Sequence, residues 1–146
     1  MQLSPTDARD LARDLAKQFA TRADEADRLG KLPCEDIRAL RASGYPALNV
    51  PHEFGGSNLC LRACTEAQLE LAQGSGSTAL VAAMQIQVFG NARLVQRASH
   101  SAATQDRRPW SDPLYERLCS EVVKRGALFN SVTSEPEIGS SSLPPP

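Results

Sequence analysis

The chain has 146 residues, a single-domain length, and 41% of them are hydrophobic, enough to form a core. Twenty Ala and 17 Leu stand against 7 Val and 3 Ile. Ala and Leu favour helices and β-branched residues favour strands, so an all-β fold is excluded and an all-α one is expected. Sixteen Lys and Arg against 17 Asp and Glu leave a net charge of −1, without the basic footprint of a nucleic-acid binder.

The opening MQLSPTDARD is polar and contains no hydrophobic leader segment. Ser4 is placed as an N-cap, Pro5 at the first helical position and Asp7 as the reciprocal carboxylate of a capping box. Ala8, Leu11, Ala12, Leu15, Phe19, Ala23 and Ala26 then recur at helical spacing, and Gly30 ends the run. Residues 1–43 hold eight acids and eight bases that cancel, which reads as a solvated helix face.

A second helix is expected after Pro33, through Ile37 and Leu40 to Gly44, with Tyr45-Pro46 breaking it. LNVPHEFGGSNL, Leu48 to Leu59, is loop chemistry. A third helix is expected from Leu61 to Gln73, with Ala63, Ala67, Leu69, Leu71 and Ala72 as its apolar positions. A fourth follows the Gly74–Ser77 break, with Ser77 or Thr78 as candidate caps. It should be the most buried helix, because Leu71 to Ala92 carries no charge. Its purely apolar run, Ala79 to Met84, is far short of the ~20 residues that a membrane span needs.

Arg97 to Asp112 reads as polar and irregular. A fifth helix starts at Ser111 or Asp112 ahead of Pro113, with Leu114, Leu118, Val122 and Val123 as its stripe, and stops at Lys124-Arg125-Gly126. Ala127 to Val132 then reads as a strand, so that residues 1–126 form a helical domain and 127–146 begin a β domain. A lone strand has no partner of its own.

The candidate chemistry is thin. Cys60 and Cys64 could form half a metal site, but nothing completes four ligands, so buried thiols are the simpler reading. The four cysteines (34, 60, 64 and 119) lack a disulfide framework, which suits a reducing, cytoplasmic setting. Cys119 or Cys34 with His52 or His100 makes no recognisable nucleophile pair. Gly74-Ser75-Gly76-Ser77 follows a helix rather than a strand, so it reads as a turn and not a phosphate cradle. Trp110, beside Arg107 and Arg108, reads as a domain anchor.

The segment that stands apart is SVTSEPEIGS, Ser131 to Ser140. Pro136 holds Glu135 extended, and Gly139 lets the backbone turn closely against a ligand. Ser131, Thr133, Ser134 and Ser140 supply hydroxyls around exposed N–H groups, a set that can bind a planar heterocycle and a pyrophosphate.

Three landmarks, in order, resemble the N-terminal part of the acyl-CoA dehydrogenase superfamily. VPHEFGG, Val50 to Gly56, is similar to its V-P-E-E-Y-G-G loop. Glu70-Leu71-Ala72 followed by Gly76 to Leu80 resembles its E-L-A…A-S-T-A-L entry into a buried helix. SEPEIGS, Ser134 to Ser140, resembles its T-E-P-x-A-G-S flavin motif. The resemblance implies a helical N-terminal domain followed by a β middle domain and a C-terminal four-helix bundle in a homo-oligomer. It implies FAD contacts from Ser131, Val132, Thr133, Ser134, Gly139 and Ser140, with Ser140 also near an acyl-CoA-type substrate. The buried helix, around Met84 to Phe89, would line part of the acyl pocket. The family's catalytic glutamate comes from the C-terminal part, so no residue here takes a catalytic role.

Several positions depart from the pattern. Ser134 replaces Thr, Glu137 and Ile138 stand where small residues are common, and Ser141 replaces Asp. These resemble the flavin-dependent desulfurisation or monooxygenase branch, which implies FMN and a small organic substrate. The chain is expected to be a truncated fragment of such an oxidoreductase, inactive alone. The competing expectation is a free-standing helical interaction module without enzymatic function.

Overall fold

The computed structural model describes residues 2–99 and 112–130, with 91–99 and 112 as helical backbone alone. Among the described residues there are five α-helices: α1 Pro5–Leu29, α2 Cys34–Ala42, α3 Leu61–Ala72, α4 Gly76–Ser99 and α5 Asp112–Arg125. Two 3-10 turns, Tyr45–Ala47 and His52–Phe54, interrupt the loop between α2 and α3. This is the all-α architecture expected from composition.

Local chemistry sets most boundaries. The Ser4 hydroxyl accepts from the Asp7 N–H, and the Asp7 carboxylate accepts from the Ser4 N–H, closing the capping box of α1. Gly30, at φ 60°, ends α1 in the left-handed conformation that costs glycine little. Gly126 ends α5 in the same way, at φ 59°.

The start of α4 departs from expectation. Ser75, and neither Ser77 nor Thr78, is the cap: its Oγ accepts from the Thr78 N–H at 3.3 Å. Its carbonyl accepts from the Ala79 N–H at 2.9 Å. Gly74 explains the choice, because it lies directly on the Ala16 backbone and the turn must finish there. At its other end α4 runs on through 97–99, part of the stretch expected to be irregular. Arg93, Gln96 and Arg97 are straight-chain helix formers that extend it.

α1 packs chiefly on α3, and α3 on α4. Their shared core includes Ala8, Ala12, Leu15, Phe19, Leu40 and Leu71. α1 and α3 are also tied by charge: Arg13 donates from Nε and Nη2 to the two Glu70 carboxylate oxygens, at 3.1 and 2.7 Å. Arg22 reaches the fully buried Asp36 on α2, with Nε 2.7 Å from Oδ1. A second core gathers Val50, Val88, Phe89, Tyr115, Cys119 and Val122 where α4, the loop and α5 meet.

Two expected apolar faces are displaced. On α5 the buried residues are Tyr115, Cys119 and Val122, while Leu114 is exposed. The Tyr115 ring meets Phe54 edge-on at 5.9 Å and lies 6.0 Å from Phe89, so these aromatic partners select the face. On α3, Cys64 joins Ala63, Ala67 and Leu71 inside, whereas Leu69 and Ala72 are exposed. Over its described side chains, residues 76–90, α4 leaves one face to solvent, where Leu80 is 65% exposed.

Gly74 and Gly76 make a matched test. A Cβ on Gly74 would collide with the Ala16 backbone, whereas at Gly76 it would meet nothing within 4 Å. Gly74→Ala should cost at least ~2 kcal/mol in urea denaturation, the range of overpacking. Gly76→Ala should be neutral or gain up to about 0.5 kcal/mol through helix propensity. Equal effects would contradict the packing.

Acid should loosen α1 first. Hydrogen bonding to Ser4 holds the Asp7 carboxyl below its usual range, and the Arg13 guanidinium does the same for Glu70. Groups with depressed folded pKa values contribute above the ordinary carboxylate range and lose that contribution as pH falls through the folded value. Thermal melts should therefore fall with pH below about 4, and Glu70→Gln should flatten that dependence. An unchanged slope in Glu70→Gln would contradict the assignment.

Candidate functional site

The expected cofactor residues, Ser131, Val132, Thr133, Ser134, Gly139 and Ser140, lie outside the described residues, as do His100 and Trp110. The structure does describe how the chain approaches them. Ala127–Asn130, the described part of the expected strand, has no regular secondary structure. Among the described residues no strand lies beside it to complete a ladder. A side chain takes that role instead.

Gln85, on α4, is 1% exposed. Its Oε1 accepts from the Phe129 N–H at 2.7 Å, and its Nε2 donates to the Pro46 carbonyl at 3.3 Å. One amide thus satisfies two main-chain groups that α4 does not itself contain. Leu128 packs against the larger core and Phe129 against the smaller one, with the Phe129 ring 6.2 Å from Phe89.

The exit of α5 is held from the other side by α2. Arg41 donates from Nε to the Gly126 carbonyl and from Nη2 to the Arg125 carbonyl, both at 3.2 Å. Gly126 lies directly on the Arg41 backbone, where a Cβ would not fit. The chain entering Ser131 to Ser140 is therefore fixed by Arg41 at residues 125–126 and by Gln85 at residue 129.

The VPHEFGG loop is part of the same frame. Asn49 donates to the Ile86 carbonyl at 2.8 Å, one residue beyond Gln85 on α4. The loop folds back on itself, with Asn58 N–H donating to Val50 and Leu59 N–H to Leu48, both at 2.8 Å. Gly56 sits against the Val50 backbone, and His52 Nδ1 donates to the Gly56 carbonyl at 3.0 Å. His52 thus holds a turn. The Leu3 N–H reaches Ser57 Oγ at 3.0 Å and brings the start of the chain to this loop.

The cysteines do not converge. Cys60 is exposed while Cys64 is buried, so the pair does not present two thiols to one ion. Among the described residues no group of His, Cys, Asp and Glu could hold a metal. Burial pushes the Cys119 thiol up to about 11, away from nucleophilic use. No described helix is long and apolar enough to cross a membrane. Of the helix expected to line an acyl pocket, Gln85, Ile86, Val88 and Phe89 are buried in the cores or bonds just described, and Met84 is half-buried.

Sequence reasoning missed Gln85, Asn49 and Arg41. Gln85 was visible only as a polar residue in an uncharged run, and its partners lie 39 and 44 residues away.

Gln85→Leu keeps most of the volume but leaves the Phe129 N–H and the Pro46 carbonyl without their partner. It should cost about 1–3 kcal/mol in urea denaturation, the desolvation penalty of an unsatisfied buried group. A cost below about 0.5 kcal/mol, the level of a surface change, would contradict the bridge.

Comparison with known proteins agrees with this frame. The model of the acyl-CoA dehydrogenase N-terminal domain matches residues 6–105. YdbM of Bacillus subtilis (strain 168), which carries the acyl-CoA dehydrogenase name, is 29% identical over 126 residues, 86% of this chain and 30% of YdbM. FadE25 of Mycobacterium leprae (strain TN), named likewise, is 29% identical over 127 residues, 86% of this chain and 29% of its own length. The 3-(aryl)acrylate reductase of Clostridium sporogenes (strain ATCC 15579) is 30% identical over 76 residues, 49% of this chain and 20% of the reductase. The chain thus spans less than a third of the length of these relatives. With the capped five-helix frame, the folded-back VPHEFGG loop and a family match over most of the sequence, the chain belongs to the acyl-CoA dehydrogenase N-terminal domain family.

Proposed function

We propose that this chain is the helical wall of a flavin-dependent oxidoreductase that acts on an acyl-CoA-type substrate. Residues 1–126 form that wall, and 127–146 lead from it into a β domain, with 127–130 held on the helices without regular secondary structure and the flavin-contacting loop following. The observation that carries the reading is the two-point fixation, by Arg41 and Gln85, of the chain that leads into SVTSEPEIGS.

The donor chemistry fits a flavin at that place. Along 127–130 the apolar side chains Leu128 and Phe129 pack inward, and the Phe129 N–H is taken by Gln85. Donors for the isoalloxazine and pyrophosphate then come from the hydroxyls and N–H groups of Ser131, Val132, Thr133, Ser134, Gly139 and Ser140. The family resemblance assigns Ser140 a contact with the substrate as well. FAD, or FMN in a monooxygenase, supplies the hydride or oxygen chemistry when bound. The chain's own residues orient and shield, and no residue here is assigned acid, base or nucleophile work. In this reading the site of the longer protein is completed by further domains, and a homo-oligomer is the arrangement the family resemblance implies.

Flavin retention tests the proposal. The chain alone, mixed with FAD or FMN, should elute from gel filtration without stoichiometric yellow cofactor. A chimera joining it to the remainder of YdbM should retain the cofactor. Stoichiometric retention by the chain alone, or none by a folded chimera, would overturn the reading.

A further inference from the structure

We propose that the cleft between α2 and the end of α5 is a binding site for a small phosphate-bearing anion. The cleft has a volume of about 600 Å³ and is lined by Arg38, Arg41, Lys124 and Arg125, with no acidic side chain on its walls. The chain as a whole carries a net charge of −1, so four cations converging on one cleft are a local feature. Arg41, Lys124 and Arg125 lie in the last turns of their helices, where cations complement the helix dipole. That explains their presence but not their convergence, and Arg38 stands outside it. Two helix C-termini contribute roughly −1 together, and Glu35 and Glu121 pair with two of the cations, so the cleft keeps a smaller net positive charge.

Two of the four cations, Arg41 and Lys124, are not neutralised by a carboxylate among the described residues, and the other two are paired only at the surface. Arg41 is fixed by the Arg125 and Gly126 carbonyls through Nη2 and Nε, and neither bond uses Nη1. Lys124 has no carboxylate partner among the described residues. Arg38 faces Glu35 at 3.9 Å and Arg125 faces Glu121 at 3.2 Å. Both are exposed pairs within one helix, the weak kind that a multiply charged ligand displaces. Ala42, Ala47, Val122 and Val123 add apolar wall, which strengthens charge attraction by excluding water.

The size favours a small molecule over a protein partner, because small-ligand sites occupy roughly 300–1,000 Å³ and are concave. Planar guanidiniums match phosphate oxygens in pairs, and several cations together suit a group with more than one negative charge. The inference shares Arg41 with the flavin reading but is tested apart from it, since Arg38 and Lys124 make none of the bonds that hold the chain leading into Ser131 to Ser140.

Isothermal titration of inorganic pyrophosphate into the whole chain at low ionic strength tests it. Arg38 and Lys124 are both exposed, so Arg38→Gln with Lys124→Gln should keep a cooperative melting curve close to that of the wild type. Saturable one-to-one binding is expected, weakened about tenfold or more in that double variant. Raising salt from about 20 to about 200 mM should weaken it as well. Arg38→Lys with Lys124→Arg should keep most of the affinity. Absence of saturable binding, or equal binding by wild type and the glutamine double variant, would overturn the proposal. So would a glutamate-only peptide that binds more tightly than pyrophosphate, which would make the cleft a protein-docking site.

Discussion

The arrangement depends on one buried amide. Gln85 occupies the middle of α4, where its own backbone groups belong to the helix, and offers its side chain to two segments that meet only there. An amide is suited to this because it donates at one end and accepts at the other, while a carboxylate would only accept. Burial makes the two bonds consequential, since an unmatched polar group away from water is costly. Asn49 repeats the device one residue further along α4, by donating to the Ile86 carbonyl. The long loop and the exit of α5 are thus both anchored on α4, in addition to their direct contact through Phe54 and Tyr115.

Around that point the helices approach unusually closely where glycine permits it. Gly74 lies on the Ala16 backbone, and Gly126 on that of Arg41. These two contacts bring α3 onto α1 and the end of α5 onto α2. The aromatic group of Phe54, Tyr115, Phe89 and Phe129 then fills the side on which the chain leaves α5. The result is a helical layer with a defined launching point for the segment that begins at Ser131. The charges of α1 are largely satisfied by neighbours such as Asp10 and Glu70. The cations without a carboxylate partner among the described residues, Arg41 and Lys124, meet instead at the cleft between α2 and α5.

Much of the fold was legible because its signals are local. Ser4, Pro5 and Asp7 specify the start of α1 within four residues, and Gly30 and Gly126 end helices through a conformation that few other residues adopt. Choices made by distant partners were not legible. The run Ser75 to Thr78 offers several caps, and Gly74 against Ala16 decides among them. The apolar face of α5 was expected one position away from where Tyr115 and Cys119 lie, because Phe54 and Phe89 select the tyrosine side. Gln85 and Arg41 looked like ordinary polar residues, since what distinguishes them is the main chain brought to them by folding. The motif Ser131 to Ser140 remained readable only as a pattern of hydroxyls, proline and glycine and as a family likeness.

The central claim is that the segment after α5 is held rigidly by the helical layer before the cofactor motif begins. Amide hydrogen exchange at Phe129 tests this most directly, because its N–H is given to a buried side chain instead of a strand or helix. Protection of the Phe129 amide comparable to that of the core amides of α4 is the predicted result. Exchange at the rate of an unstructured peptide, while α4 stays protected, would contradict the account.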